Sequence, residues 1–114
     1  MKDYPIGSIL RRRLDGIFGL FLWHTGVYVG DGKVAHFNGV VKKQCSATIR
    51  IDAIVDFAGG HTVFLHYLPK DNKHGVAIVE RAHKLHRRPD NGFDCAYQMI
   101  TNNCQDFCSF CYAC

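Results

Sequence analysis

The chain has 114 residues, which is enough for one compact domain with a single core and excludes a second catalytic domain. Hydrophobic residues make up 47% and charged residues 21%, which excludes an intrinsically disordered chain. The 14 basic and 10 acidic residues give a net charge of +4. We therefore expect one folded domain over residues 1–114.

The six cysteines raise the question of disulfides. Met1 to Pro5 lacks the features of a signal peptide, and every cysteine except Cys45 lies between Cys95 and Cys114. We therefore expect reduced thiols and a cytoplasmic location. The longest apolar run, Ile17 to Trp23, is far shorter than the ~20 residues that a membrane-spanning helix needs.

The basic residues are unevenly distributed, because all 14 precede residue 89. The cluster from Arg11 to Arg13 is followed by the apolar stretch that ends at Trp23, and cations beside aromatic residues suit a lipid headgroup boundary. Peripheral contact with a membrane surface is therefore one interpretation of this cluster, and a solvated positive surface is the other. No nucleic-acid partner is expected, because no recognition motif accompanies the charge.

A β-hairpin is predicted first along the chain. Thr25–Val29 and Val34–Phe37 are rich in β-branched and aromatic residues, and the Gly-Asp-Gly sequence between them suits a turn that needs positive φ. Thr48–Ile51 and Thr62–Tyr67 have the pattern of further strands. These segments predict a small antiparallel sheet.

Two helices follow. From Gly75 to about Arg88, apolar residues recur at helical spacing, at Ile78, Val79, Ala82 and Leu85. A last helix would place four residues on one face, namely Cys104, Phe107, Cys108 and Cys111. The predicted fold class is α+β, with the sheet packed against helices.

Cys104 is the candidate nucleophile. Asn102 or Asn103 can cap the last helix, and a cysteine in a first turn meets unpaired N–H groups and the positive end of the helix dipole, which stabilise a thiolate. The series Cys104, Cys108, Cys111 and Cys114 also suggests a metal. Thiols along one helix cannot surround a tetrahedral ion, so we expect no metal site and no cofactor.

His24 and His36, on the predicted hairpin, are the candidate bases. With a three-residue loop, both side chains point to one side of the sheet as diagonal neighbours, whereas a two-residue loop sends them to opposite faces. A catalytic pair therefore requires the longer loop or an irregularity near His24.

Two motifs carry a resemblance to a known family. The segment from Trp23 to Phe37 is WHTGVYVGDGKVAHF, and it resembles the pattern His-x-(Ala/Gly)-Ile-Tyr-Val-Gly-Asp-Gly-x-Val-x-His of the lecithin:retinol acyltransferase-like proteins. The segment from Asn103 to Phe107 is similar to their Asn-Cys-Glu-His-Phe box, with Gln105 and Asp106 in place of Glu and His. Arg81-Ala82 and Tyr97 also stand where that family has an Arg-Ala helix and a tyrosine.

The resemblance implies a circularly permuted papain-like fold and a thiol-dependent acyltransferase or hydrolase. Cys104 would be the nucleophile, His24 its base and His36 the residue that orients His24. The acyl donor would be a lipid or another ester or amide, most simply a phospholipid.

Two alternatives stay open at this point. The same residues could serve a papain-like peptidase or amidase, or a non-catalytic binding protein such as the picornavirus proteins that share both boxes. The remaining histidines match no motif and are interpreted as surface or loop residues; they are His61, His66, His74, His83 and His86.

Overall fold

The described part of the chain forms one sheet and three helices. The computed structural model describes residues 4–13, 23–38, 48–87 and 104–113. The strands are Ile9–Arg13 (β1), Trp23–Gly30 (β2), Lys33–Asn38 (β3), Thr48–Ala53 (β4) and Phe64–Tyr67 (β5), and the helices are Ile54–Ala58 (α1), Asn72–Arg87 (α2) and Cys104–Tyr112 (α3). The sheet has the order β4-β3-β2-β1-β5, and all its neighbours are antiparallel. The predicted α+β class is confirmed.

Most of the predicted elements are present, with shifted ends. The strand predicted from Thr62 begins at Phe64, where it meets its partner Arg11 on β1. The helix predicted from Gly75 begins at Asn72, because the Asp71 carboxylate accepts a hydrogen bond from the His74 N–H at 2.7 Å and caps the first turn.

Strand β1 was not predicted. Its sequence, ILRRR, has no alternation of apolar and polar residues, yet it lies inside the sheet between β2 and β5. Arg12 pairs with His24 on β2, and Arg11 pairs with Phe64 on β5. The basic cluster is therefore part of the sheet, and its charges lie beside the hairpin.

Each face of the sheet has its own apolar cluster. On the face covered by α2 and α3, buried side chains of the sheet meet buried residues of both helices, namely Ile9, Val27, Ala35, Phe37, Ile49, Ile78, Ala82, Leu85, Phe107, Cys108 and Cys111. On the other face Leu10, Tyr28 and Val34 surround Phe57 of α1, a helix that was not predicted. We call these the α3 face and the α1 face.

The hairpin turn is shorter than the three-residue loop considered above, yet His24 and His36 still point to the same side of the sheet. Gly30 pairs with Lys33, so the turn has two residues, Asp31 and Gly32, both at positive φ as in a type I′ turn. An irregularity between Tyr28 and Gly30 then shifts the register, and Tyr28 lies opposite Val34. This is the register that a three-residue loop would have produced, and it leaves His24 and His36 on the same face.

Within the part of the chain that the structure describes, no helix is long and apolar enough to cross a membrane.

Candidate active site

The two hairpin histidines are in direct contact on the α1 face. Nε2 of His24 lies 2.8 Å from Nδ1 of His36, and the rings meet edge to face with centroids 5.0 Å apart. Only 2% of His24 and 4% of His36 is exposed. The structure thus brings together two of the three predicted site residues.

Asp52 extends this pair and was not predicted. His36 pairs with Arg50 on β4, so Asp52, opposite Val34, is the diagonal neighbour of His36 on the same face. Its Oδ2 lies 2.8 Å from Nε2 of His36, and its Oδ1 accepts a hydrogen bond from Arg50 at 3.2 Å. The sequence contained a signal for this contact. The alternation of β4 places Arg50 and Asp52 on one face, and a prediction that paired β4 with β3 would have placed Asp52 near His36.

The carboxylate determines where the protons of both imidazoles lie. An ionised Asp52 only accepts hydrogen bonds, so Nε2 of His36 carries the proton and donates it. Nδ1 of His36 is then an acceptor, and Nε2–H of His24 donates to it. The lone pair of His24 is therefore on Nδ1. A neutral imidazole held in this tautomer is suited to act as a general base at that atom.

Phe57 and Arg12 complete the surroundings of the pair. The Phe57 ring stacks on His24 with centroids 5.3 Å apart and meets His36 edge to face at 5.3 Å. Nε of Arg12 donates to the Phe57 carbonyl at 2.5 Å, which ties α1 to β1. A Cβ added at Gly26 would lie 2.9 Å from this ring and would collide with Val34. Gly26 therefore leaves room for Phe57 beneath the histidines.

The electrostatics keep both histidines neutral. Burial lowers the pKa of His24 to about 3, and the electrostatic interactions with His36 and Arg12 act in the same direction. Burial also lowers the pKa of His36, although its hydrogen bond to Asp52 opposes the shift. Burial alone would raise the Asp52 pKa, but the hydrogen bond and charge of His36, with Arg50, outweigh it and lower that pKa.

Cys104 is the first residue of α3, as predicted, and its side chain lies outside the described residues together with the capping candidates Asn102 and Asn103. The expected buried face of the helix is present, because Phe107, Cys108 and Cys111 are at most 4% exposed. Across the described residues, no three His, Cys, Asp or Glu side chains are grouped so that they could hold a metal ion.

The far end of α3 is fixed to its neighbours. The Tyr112 hydroxyl donates to the Leu68 carbonyl at 2.7 Å, and Nε2 of His74 lies 2.9 Å from the Tyr112 carbonyl. Arg81 donates to the Phe110 carbonyl at 3.0 Å. His74 is half-buried in the first turn of α2, and its contact with α3 is a role that the sequence did not indicate.

A family model described as Lecithin retinol acyltransferase matches residues 10–113. The chain belongs to this family. Lecithin retinol acyltransferase of Bos taurus is 28% identical over 135 residues, which cover 95% of this chain and 56% of the relative. The protein of that name from Homo sapiens is 29% identical over 117 residues, which cover 79% of this chain and 48% of the relative. The chain thus spans about half the length of the curated relatives it matches.

The family match includes both motifs that suggested the resemblance, because residues 10–113 contain the hairpin and Cys104. Membership supports the papain-like fold expected from that resemblance.

Proposed function

We propose that this protein is a thiol-dependent acyltransferase in which Cys104 carries the acyl group. The observation that supports the proposal best is the hydrogen-bonded series His24–His36–Asp52, which leaves an unprotonated Nδ1 on a buried, neutral histidine. The helix that begins at Cys104 supplies a thiol in the position that favours its thiolate.

The first half-reaction requires the start of α3 to reach the edge of the sheet beside His24. The Cys104 thiol then gives its proton to Nδ1 of His24, and the sulfur attacks the carbonyl carbon of an ester. The hydrogen bonds that run from His24 through His36 to the Asp52 carboxylate orient the imidazolium, whose charge burial disfavours. The C–O bond then breaks, the leaving alcohol takes the proton from His24, and a thioester remains on Cys104.

In the second half-reaction an alcohol, an amine or water gives a proton to His24 and attacks the thioester. The C–S bond breaks, the proton returns to the sulfur, and the acylated acceptor leaves. In both halves the carbonyl oxygen becomes negative, and N–H groups of the first turn of α3 would stabilise it, because they have no partner within the helix.

The acyl donor is proposed to be a phospholipid. The relatives are named for lecithin, a phospholipid, and for retinol, an alcohol. For this chain we propose the same class of donor and the same order of steps, with the acceptor drawn from alcohols, amines and water.

The test is covalent capture of the acyl group. The protein is incubated with phosphatidylcholine labelled in its acyl chains, and the trapped thioester is located by peptide mass spectrometry. We expect the label on Cys104, no label in Cys104→Ala, and at least about a hundredfold slower labelling in His24→Asn, because the base is removed. Cys45→Ala and Cys95→Ala are the matched controls and should label like the wild type.

Label on Cys45 or Cys95 in the wild type would contradict the proposal. A protein that leaves phospholipid unchanged but cleaves small peptides through Cys104 would instead be a peptidase.

A further inference from the structure

We propose that the open edge of the sheet at β5, together with Arg11 and Trp23 beside it, is a surface that binds anionic lipid bilayers. We call it the β5 surface and define it by Arg11, Trp23, Phe64, Leu65, Tyr67 and Leu68. It would bring the protein to the membrane that holds the donor of the proposed function. Binding itself does not require acyl transfer.

The β5 edge is apolar and uncovered. Phe64, Leu65, Tyr67 and Leu68 are between 41% and 58% exposed. Leu65 pairs with Leu10 and Tyr67 with Ile9, so these side chains flank the edge on both faces of the sheet. Within the described ranges, β5 pairs with β1 alone. An apolar strand edge without a cover indicates a partner that is itself apolar.

Arg11 adds positive charge beside this edge. Its guanidinium carbon lies 4.5 Å from the centroid of Trp23 and 5.9 Å from that of Phe64, and its Nη1 lies 3.3 Å from Nδ1 of His66. Arg13 lies over the same Trp23 ring at 4.6 Å. Two guanidinium groups therefore share one aromatic ring at the edge of the sheet.

The charge of Arg11 is not neutralised within residues 4–13, 23–38, 48–87 and 104–113. The ion pairs found there join Asp52 to His36 and to Arg50, and the buried Nε of Arg11 has no hydrogen-bond acceptor among these residues. The strands β1, β2 and β5 contain no Asp or Glu. Among the described residues, Arg11 therefore offers its charge to a partner that is anionic as well as apolar.

A bilayer that contains acidic phospholipids meets both requirements. Arginine and aromatic side chains bind at the headgroup boundary, and aliphatic side chains such as Leu65 and Leu68 enter the acyl region. A cavity of about 490 Å³ adjoins the β5 surface, is lined by His66 and Tyr67, and extends to Cys108 and Tyr112 on α3. This volume can receive part of one acyl chain.

Two other partners fit less well. A second copy of the chain paired through β5 would bring Arg11 of both copies to one interface without an opposing charge. A nucleic acid would match the charge, but it would leave Leu65 and Leu68 against a polar backbone.

The test measures binding to vesicles in the inactive Cys104→Ala background, so that vesicle composition stays constant. We expect co-sedimentation with vesicles of phosphatidylcholine and phosphatidylserine, weaker binding to phosphatidylcholine alone, and weakening as salt is raised. Arg11→Gln should reduce binding about fivefold, as loss of one basic residue near an acidic surface does. Adding Leu65→Ser and Leu68→Ser should bring the total reduction to at least about tenfold.

The matched control makes the same changes elsewhere. Arg87→Gln with Val55→Ser and Val76→Ser likewise removes one arginine and two exposed aliphatic side chains, at sites on α1 and α2. It should bind vesicles like its parent. Circular dichroism and thermal unfolding show whether each triple variant is folded, and the single Arg11→Gln variant keeps the proposal testable if a triple variant unfolds.

Equal binding by the β5 variants and the control would overturn the proposal. A second contrary result is a dimer that dissociates in the Leu65→Ser, Leu68→Ser variant while vesicle binding stays the same. A third is a protein that binds single-stranded RNA but does not bind vesicles. Because the assay needs no turnover, a missing thioester would contradict the proposed function and leave the β5 surface standing.

Discussion

The carboxylate of Asp52 lies 2.8 Å from Nε2 of His36, although the strand ladder pairs Asp52 with Val34. This diagonal contact fixes the tautomer of His36 and, through it, that of His24. We expect Asp52→Asn to lower kcat for acyl transfer at least about tenfold, because an amide can donate to Nε2 and favour the wrong tautomer.

Arg50→Gln is the matched control for that substitution. Arg50 is also a hydrogen-bond partner of Asp52, but it binds Oδ1 and not the Oδ2 that contacts His36. The kcat of Arg50→Gln should fall much less. Equal activity in Asp52→Asn and the wild type would show that Asp52 does not position His36. Nitrogen NMR of the two imidazoles would report their tautomers directly.

The buried neutral histidines make stability depend on pH. The unfolded chain binds protons near the ordinary histidine pKa of 6.5, whereas the pKa of folded His24 is about 3 and that of His36 is also lowered. The free energy of unfolding therefore has its full value above pH 6.5 and decreases as the pH falls toward the pKa values of the folded histidines. The loss is about 1.4 kcal/mol per pH unit for each imidazole that stays neutral.

Urea unfolding between about pH 7.5 and pH 5 measures this slope. His24→Asn should reduce the slope of stability against pH by the contribution of one imidazole, even if the substitution also changes the free energy of unfolding at every pH. His86→Asn, at an exposed position of α2, should leave the slope unchanged. Parallel curves for His24→Asn and the wild type would contradict the prediction.

Gly26 and Phe57 are expected to be coupled. A methyl group at Gly26 would press on the Phe57 ring and Val34, so Gly26→Ala should lower the free energy of unfolding by about 1–3 kcal/mol. In the Phe57→Val background the added methyl group has room. The double variant should therefore be more stable than the sum of the single changes predicts, by about 0.5–3 kcal/mol. Strict additivity in denaturant unfolding would show that the two residues do not compete for space.

The hydroxyl of Tyr112 is expected to stabilise the end of α3. Tyr112→Phe leaves the Leu68 carbonyl without this donor and should lower the free energy of unfolding by about 0.5–1.5 kcal/mol. Tyr67→Phe removes a hydroxyl from a ring that is 58% exposed and should change stability little. Thermal unfolding compares the two, and equal shifts would contradict the assigned role.

Local sequence patterns predicted the hairpin, the strand β4 and the two longer helices. These depend on near neighbours along the chain, such as the Gly-Asp-Gly turn and the apolar spacing around Ile78. Strand β1 could not be found in this way, because three consecutive arginines have no strand pattern. It forms by pairing with β2 and β5, which buries Ile9 and Leu10, and these are contacts with other elements.

By itself, the sequence determined the α+β class, the two family motifs and the position of Cys104 at the start of a helix. Only the tertiary structure decided that His24 and His36 share a face, that Asp52 completes their series and that Arg11 lies beside an open apolar edge. The physical reason is register. One irregularity beside Gly30 and the pairing of β4 with β3 set which side chains meet, and both depend on strands that are distant in the chain.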